Sequence, residues 1–277
     1  MDGTFLLKCM ECKKIVHSNG SWAKVFNADC FDVFPAIKDQ SIDLILVDTP
    51  YATTKNKWDT LLDLDLMFQE SYRVIKKGCA IIHFAQDKYT AQLIMSQFKN
   101  YKHRWVWDKV SSANFAVAKH MPLTVTEDVL IFSEDDLIDN TPNDDILVFT
   151  NDGSKVDYFP KMMKGKLRFR GSKNAKSNGE GFGGVNQVYY QSDEYYPTNL
   201  LKFSVVPRRQ SLHPSQKPVD LLKYLIETYS VNGSTILDFT MGVGSIGVAC
   251  KHTNRNFIGI EKEQIYYDIA VERIETE

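Results

Sequence analysis

The stretch TILDFTMGVGSIGVACKHTNRNFIGIE, residues 235–261, decides the fold. Thr235 to Phe239 reads as a strand, Ser245 to His252 as a helix and Asn256 to Glu261 as a second strand. Strand, glycine turn, helix and strand in that order form one unit of a parallel sheet. Gly242 and Gly244 lie at the strand-to-helix turn, where the lack of a Cβ lets the backbone bend tightly and approach a ligand. Glu261 ends the second strand roughly 20 residues on, where a carboxylate can accept hydrogen bonds from ribose hydroxyls. This suits an adenosine-bearing cofactor at the carboxyl edge of a sheet. Gly242, Gly244 and Gly247 also spell G-x-G-x-x-G. The motif alone therefore leaves a dinucleotide open, and equally a plain turn followed by a surface glutamate.

Outward from this unit the alternation continues. Leu221, Leu222, Leu225, Ile226 and Tyr229 mark one face of a helix that begins near Lys217, and Gln264 to Ile274 reads as the last helix. Early in the chain, Ile42 to Val47 is a short apolar run, as in a strand buried on both faces. Leu61 to Lys76 has helical spacing and stops before Gly78, a C-cap signal. Ala80 to Phe84, Arg104 to Trp107 and Val129 to Phe132 read as strands, and Lys88 to Phe98 as a helix. The pattern predicts an α/β fold with a doubly wound, mostly parallel sheet. Between Ser133 and Gln210 no periodicity is sustained, and Gly171 to Gly184 is rich in Gly, Ser, Asn and Lys. A connection of that length is usually functional or disordered. The expected organisation is a first core half over 20–132, an insertion over 133–210 and a second core half over 211–277.

At 277 residues, 43% hydrophobic and 25% charged, the chain can bury a core without disulfides or metal. It contains no apolar run of membrane-spanning length and no signal-peptide pattern over Met1 to Ser18, so a cytoplasmic location is expected. The five cysteines are Cys9, Cys12, Cys30, Cys79 and Cys250, an odd and scattered set that suggests reduced thiols. Cys9, Cys12 and His17 lack a second ligand pair, so no metal site is expected. The net charge of −2 argues weakly against a nucleic-acid partner, yet the charge is uneven. Acidic Glu134 to Asp145 precedes a basic stretch that runs from Lys155 to Lys176.

Asp48-Thr49-Pro50-Tyr51 follows the apolar strand Ile42 to Val47 directly, so it sits where open α/β sheets bind ligands. The Asp48 carboxylate can accept a hydrogen bond from an amino group. Pro50 biases Thr49 toward an extended conformation, which can aim the Thr49 carbonyl at the same group. Tyr51 offers a flat ring for a base. The bland alternative is an aspartate-capped turn.

Together and in this order, the two motifs resemble the beta class of DNA amino-methyltransferases. That family carries an early D-P-P-Y-type catalytic motif, a late F-x-G-x-G-type cofactor motif and a target recognition region between them. The likeness runs from about Phe26 to Ile274 and includes several flanking strings. Asn27-Ala-Asp29-Cys30 matches the segment whose aspartate contacts the cofactor adenine. Thr53 to Asp59 is similar to G-T-x-x-x-W-D. Trp107-Asp108-Lys109, Glu127 and Phe132 match the middle strands. His213-Pro214-Ser215-Gln216-Lys217-Pro218 resembles H-P-T-Q-K-P, which lines the methionine end of the pocket.

The resemblance implies a Rossmann-like methyltransferase fold, S-adenosylmethionine as methyl donor and double-stranded DNA as partner. It also implies a flipped-out target base, a place in restriction-modification and, often, a homodimer. Asp48, Thr49, Pro50 and Tyr51 would be catalytic. Asp29, His213, Ser215, Gln216, Lys217, Asp238, Phe239, Thr240, Gly242, Gly244 and Glu261 would hold the cofactor. Two acceptors would localise the amino lone pair and stabilise the charge that develops on nitrogen. Thr49 stands in place of the family's first proline, and Thr240 in place of its phenylalanine, with Phe239 one position earlier. Aspartate at position 48 usually accompanies adenine N6 in this family. The insertion becomes the candidate target recognition region. Lys55, Lys57, Lys109, Lys164, Lys166, Arg168, Arg170 and Lys173 are then candidate DNA contacts. Competing readings are an N4-cytosine or RNA enzyme, a catalytically silent DNA-binding protein that retains the fold, and an NAD-dependent oxidoreductase.

Overall fold

The computed structural model describes residues 12–52, 59–113, 119–120, 122–133, 157–170 and 190–277, without the side chains of 112–113, 167–170 and 190–192. The first half holds β1 (Cys12–Val16), β2 (Trp22–Asn27), α1 (Cys30–Val33), β3 (Ile42–Val47), α2 (Leu64–Val74), β4 (Ile75–Ala85), α3 (Asp87–Ser96), β5 (Tyr101–Ala113) and β6 (Thr124–Phe132). It continues with β7 (Met163–Arg170), β8 (Tyr190–Tyr195) and β9 (Leu200–Lys202). The last part holds α4 (Val219–Tyr229), β10 (Thr235–Asp238), α5 (Ser245–His252), β11 (Asn256–Glu261) and α6 (Gln264–Thr276).

Among the described residues the main sheet has nine strands in the order β1-β2-β11-β10-β3-β4-β6-β5-β9. β2, β11, β10, β3 and β4 are mutually parallel, and the antiparallel partners are β1 at one edge and β6 between β4 and β5. At the centre β10 lies beside β3, with Leu237 opposite Ile45. From β3 the chain winds outward through β4, and from β10 it winds the other way through β11. That divergence is a topological switch point, which leaves a crevice over the carboxyl ends of β3 and β10.

Alternate residues of β3 feed two cores. Leu44 and Leu46 join a cluster with Leu222, Leu225 and Ile226 of α4, Ile246 and Ala249 of α5, and Ala270 and Ile274 of α6. Ile45 and Val47 join the opposite cluster with Val33, Phe34, Met67, Phe68, Tyr89 and Leu93 from the α1 to α3 side. Both faces of the sheet are thus covered, as the unbroken apolar run of Ile42 to Val47 requires.

Some boundaries differ from the sequence expectation. Gly78 does not cap α2. The helix ends at Val74, and Gly78 lies inside β4 with φ of 76°. The pairing there jumps from Ile42 opposite Ile75 to Leu44 opposite Ala80, so the extra β4 residues form a bulge that needs the left-handed glycine. The insertion expected over 133–210 holds a narrower compact unit, Pro160–Thr198, built on the antiparallel pair β7–β8. Within the same expected bounds, β9 instead joins the main sheet alongside β5, with Val106 opposite Leu200. The acidic stretch at 134–145, Gly171 to Gly184 and Cys9 lie outside the described residues.

Candidate active site

Asp48 and Thr49 leave the tip of β3, and Asp238 ends the neighbouring β10. Both tips open on one cleft, lined by Asp48, Thr49, Pro50 and Tyr51 together with Asp238, Phe239, Thr240, Gly242 and Glu261. The Thr240 hydroxyl, 3.4 Å from the Asp48 carbonyl oxygen, ties the two loops together. Asp29 also lines the cleft, its carboxylate accepting the Phe31 N–H at 3.0 Å to cap α1. His213, Ser215, Gln216 and Lys217 close it, and the His213 ring packs edge-on against Tyr266 at 4.5 Å. Of the expected cofactor residues Gly244 stands apart, since it is not among the lining residues. Its φ is 74°, and a Cβ there would lie 2.9 Å from Ala270 Cβ, so it serves the close packing of α5 on α6.

Asp48 is the hub of an ionic network. Lys217 Nζ lies 2.6 Å from Asp48 Oδ2 and 3.0 Å from Glu127 Oε1. The Tyr51 hydroxyl lies 2.8 Å from Asp48 Oδ1 and 3.1 Å from Glu127 Oε1. Lys109 Nζ sits 2.8 Å from Glu127 Oε2. Burial pushes the Asp48 carboxyl above the ordinary range, Lys217 pulls it back and Glu127 raises it again; the net direction is up. Burial acts on Glu127 the same way, but Lys217 and Lys109 outweigh it and hold that group below its ordinary value. Lys217 is pressed down by burial and lifted further by its two carboxylates, so it stays charged.

Two more side chains shape the catalytic turn. Ala52, directly after the tetrapeptide, has φ of 52° and donates its N–H to Asp59 Oδ1 at 2.8 Å. Tyr89 of α3 places its hydroxyl 2.7 Å from Thr49 Oγ1, and its ring stacks on Tyr51 with centroids 4.9 Å apart. Tyr89 carried no sequence signal beyond its place on an apolar helix face. Glu127 and Asp59 were visible only as parts of flanking strings. Lys109 was expected on DNA; the structure puts it on β5, outside the cleft lining, in a largely buried ion pair with Glu127. Lys164 and Lys166 are exposed on β7. Arg168 and Arg170 also lie on β7, their side chains outside the described set, and Lys55, Lys57 and Lys173 lie outside the described residues altogether.

The cleft fits an adenosine-bearing sulfonium. Gly242 has φ of 51°, and the space a Cβ would take beside it is open. Glu261 anchors the loop, its carboxylate accepting Gly242 N–H at 2.9 Å and Glu263 N–H at 2.8 Å. A carboxylate has about four acceptor positions, so two remain for ribose hydroxyls. Val243 and Ile260 add apolar wall for a base. Burial holds the Asp238 carboxyl well above its ordinary value, partly offset by the Thr240 N–H, and a cationic ligand group nearby would favour its ionised form.

A mostly parallel α/β sheet with a carboxylate-lined cleft over its switch point defines a nucleotide-cofactor enzyme class. Comparison with known proteins narrows this. The family described as DNA methylase, the N6/N4 group, matches residues 42–272. The chain belongs to that family, the S-adenosylmethionine-dependent DNA amino-methyltransferases. It is 26% identical to the Type II methyltransferase M.HpaI of Haemophilus parainfluenzae over 270 residues, 90% of this chain and 74% of that protein. It is 27% identical to the DNA adenine methyltransferase YhdJ of Escherichia coli over 92% of this chain and 84% of that one. Among solved structures, the M1.HpyAVI–SAM complex superposes with a TM-score of 0.56 at 21% identity, covering 91% of this chain and 99% of the other. The cytosine-N4-specific PvuII DNA methyltransferase superposes with a TM-score of 0.59 at 14% identity, covering 91% and 86%. The last two show the shared fold.

Proposed function

We propose that this DNA amino-methyltransferase acts on N6 of an adenine extruded from duplex DNA. The observation that carries this reading is the position of Asp48 and Thr49 at the β3 tip, in the same cleft as Gly242 and Glu261. When bound, S-adenosylmethionine supplies an electrophilic methyl group. The protein's part is to present the amino nitrogen to it in line. The Asp48 carboxylate accepts one amino hydrogen and the Thr49 carbonyl the other, which localises the lone pair. Asp48 also stabilises the positive charge that develops on nitrogen. Lys217 and the Tyr51 hydroxyl fix the carboxylate's orientation from the protein side. The surplus proton then has a nearby acceptor in Asp48, whose pKa burial raises.

Base extrusion costs roughly a few kcal/mol, offset by contacts to the duplex. Lys164 and Lys166 of the Pro160–Thr198 unit supply phosphate contacts in this reading. The test is methyl transfer from labelled donor to duplex DNA. Asp48→Ala is expected to abolish labelling, and digestion of wild-type product is expected to give N6-methyladenine. Full labelling by Asp48→Ala would overturn the catalytic assignment, and N4-methylcytosine in the digest would overturn the base.

A further inference from the structure

We infer that Tyr89 is a positioning residue for the transfer: its hydroxyl braces Thr49 and its ring backs Tyr51. The inference deepens the proposed function and rests on its reading of Thr49 as an acceptor for the amino group, with Tyr51 both orienting Asp48 and offering its ring to the base. β3 and β4 are adjacent and parallel, so their carboxyl tips lie side by side. α3 begins two residues after β4 ends, and Asp87 opens it with φ of 51°, a left-handed conformation that aspartate tolerates better than most residues. That tight turn brings Tyr89, only 2% exposed, over the tip of β3.

Two contacts follow. The Tyr89 and Thr49 hydroxyls are 2.7 Å apart, a well-formed hydrogen bond between two buried side chains. Pro50 already restricts position 49 to extended conformations but still leaves it tens of degrees of freedom in φ and ψ. A hydrogen bond to the Thr49 side chain narrows that range and so fixes where the carbonyl points. Separately, the Tyr89 ring covers one face of Tyr51 at an interplanar angle of 27°. With Tyr51 also tied through its hydroxyl to Asp48 and Glu127, the ring cannot swing, and a base must stack on its remaining face.

The experiment is a double-mutant cycle on the full chain with duplex DNA: Tyr89→Phe, Thr49→Val and the pair. Each single change removes the same hydrogen bond with little change in volume. Each is expected to lower kcat roughly three- to tenfold, the worth of one such bond, with KM for the methyl donor held within about twofold. The double variant should lose no more than the worse single. Tyr89→Leu, which also removes the ring, should raise KM for DNA in addition. Wild-type kcat in Tyr89→Phe, or losses that multiply in the pair, would overturn the inference. So would equal falls in kcat and in donor affinity, the mark of a general loosening of the fold. Asp48→Ala runs alongside. If it is dead while Tyr89→Phe is normal, only the brace fails; if it is active, the site reading fails and the brace with it. Should Tyr89→Phe not fold, Thr49→Val reports the same bond.

Discussion

Lys217 stands between two carboxylates, and a second lysine, Lys109, caps the far side of Glu127. Holding four charges largely out of water is tolerable because each faces an opposite one; removing Lys217 would leave Asp48 facing Glu127 with no cation between them. Glu127 has two lysines and stays ionised, while Asp48 has one and is raised. The network thereby leaves Asp48 as the carboxylate able to respond to a ligand. His83, in β4 beneath the cleft, shows the opposite case. It is fully buried, neither ring nitrogen has a hydrogen-bond partner among the described residues, and its ring neighbours include Phe68, Phe132 and Phe239. Burial pushes its pKa down to about 3, against an unfolded value near 6.5. Below pH 6.5 the unfolded chain takes up a proton that the folded chain refuses. Stability from this group is thus complete above 6.5 and falls by about 1.4 kcal/mol per pH unit toward 3. Urea unfolding across that window should show a shallower decline for His83→Leu than for wild type by that slope. Parallel curves would contradict the assignment.

At the scale of the element, the strand–turn–helix of β10 and α5 uses its glycines for different ends. Gly244 holds φ of 74° with Ala270 Cβ placed 2.9 Å from where its own Cβ would be. Gly244→Ala therefore combines left-handed strain with overpacking of α5 on α6, and should destabilise the fold by about 1–3 kcal/mol in thermal melts. Gly242 lines the cleft, and a Cβ there meets nothing within 4 Å. Gly242→Ala should cost the fold only about 1 kcal/mol of backbone strain. Its main effect should be on the donor, whose affinity is expected to drop more than tenfold because the added methyl enters the cofactor's space. Donor titration and melting on both variants separate the two roles; unchanged donor affinity in Gly242→Ala would refute the assignment.

At the scale of the molecule, the main sheet carries the chemistry, and the Pro160–Thr198 unit is a small β pair of its own. In the proposed function its lysines neutralise phosphates. Replacing Lys164 and Lys166 together by Ala should weaken DNA binding at every sequence alike. The dependence of log affinity on log salt should fall by about 1.8, or 0.9 per lost contact, with donor affinity unchanged. An unaltered salt slope would remove these lysines from the DNA face.

The sequence by itself determined the α/β class, the doubly wound core and both motif-bearing turns. Buried parallel strands must be uniformly apolar, and tight turns at their tips must carry glycine or proline, so both leave local signals that survive without coordinates. α5 and β11 kept their expected limits for that reason. The edge strand β1, its neighbour β2, the β7–β8 pair and three-residue β9 left none, since one face or both is polar or the runs are short. Tertiary structure alone decided the Tyr89 brace, the Lys109–Glu127–Lys217 network and the packing role of Gly244. Each depends on residues well apart in the chain meeting in space, and no local pattern records a partner 18 to 90 positions away.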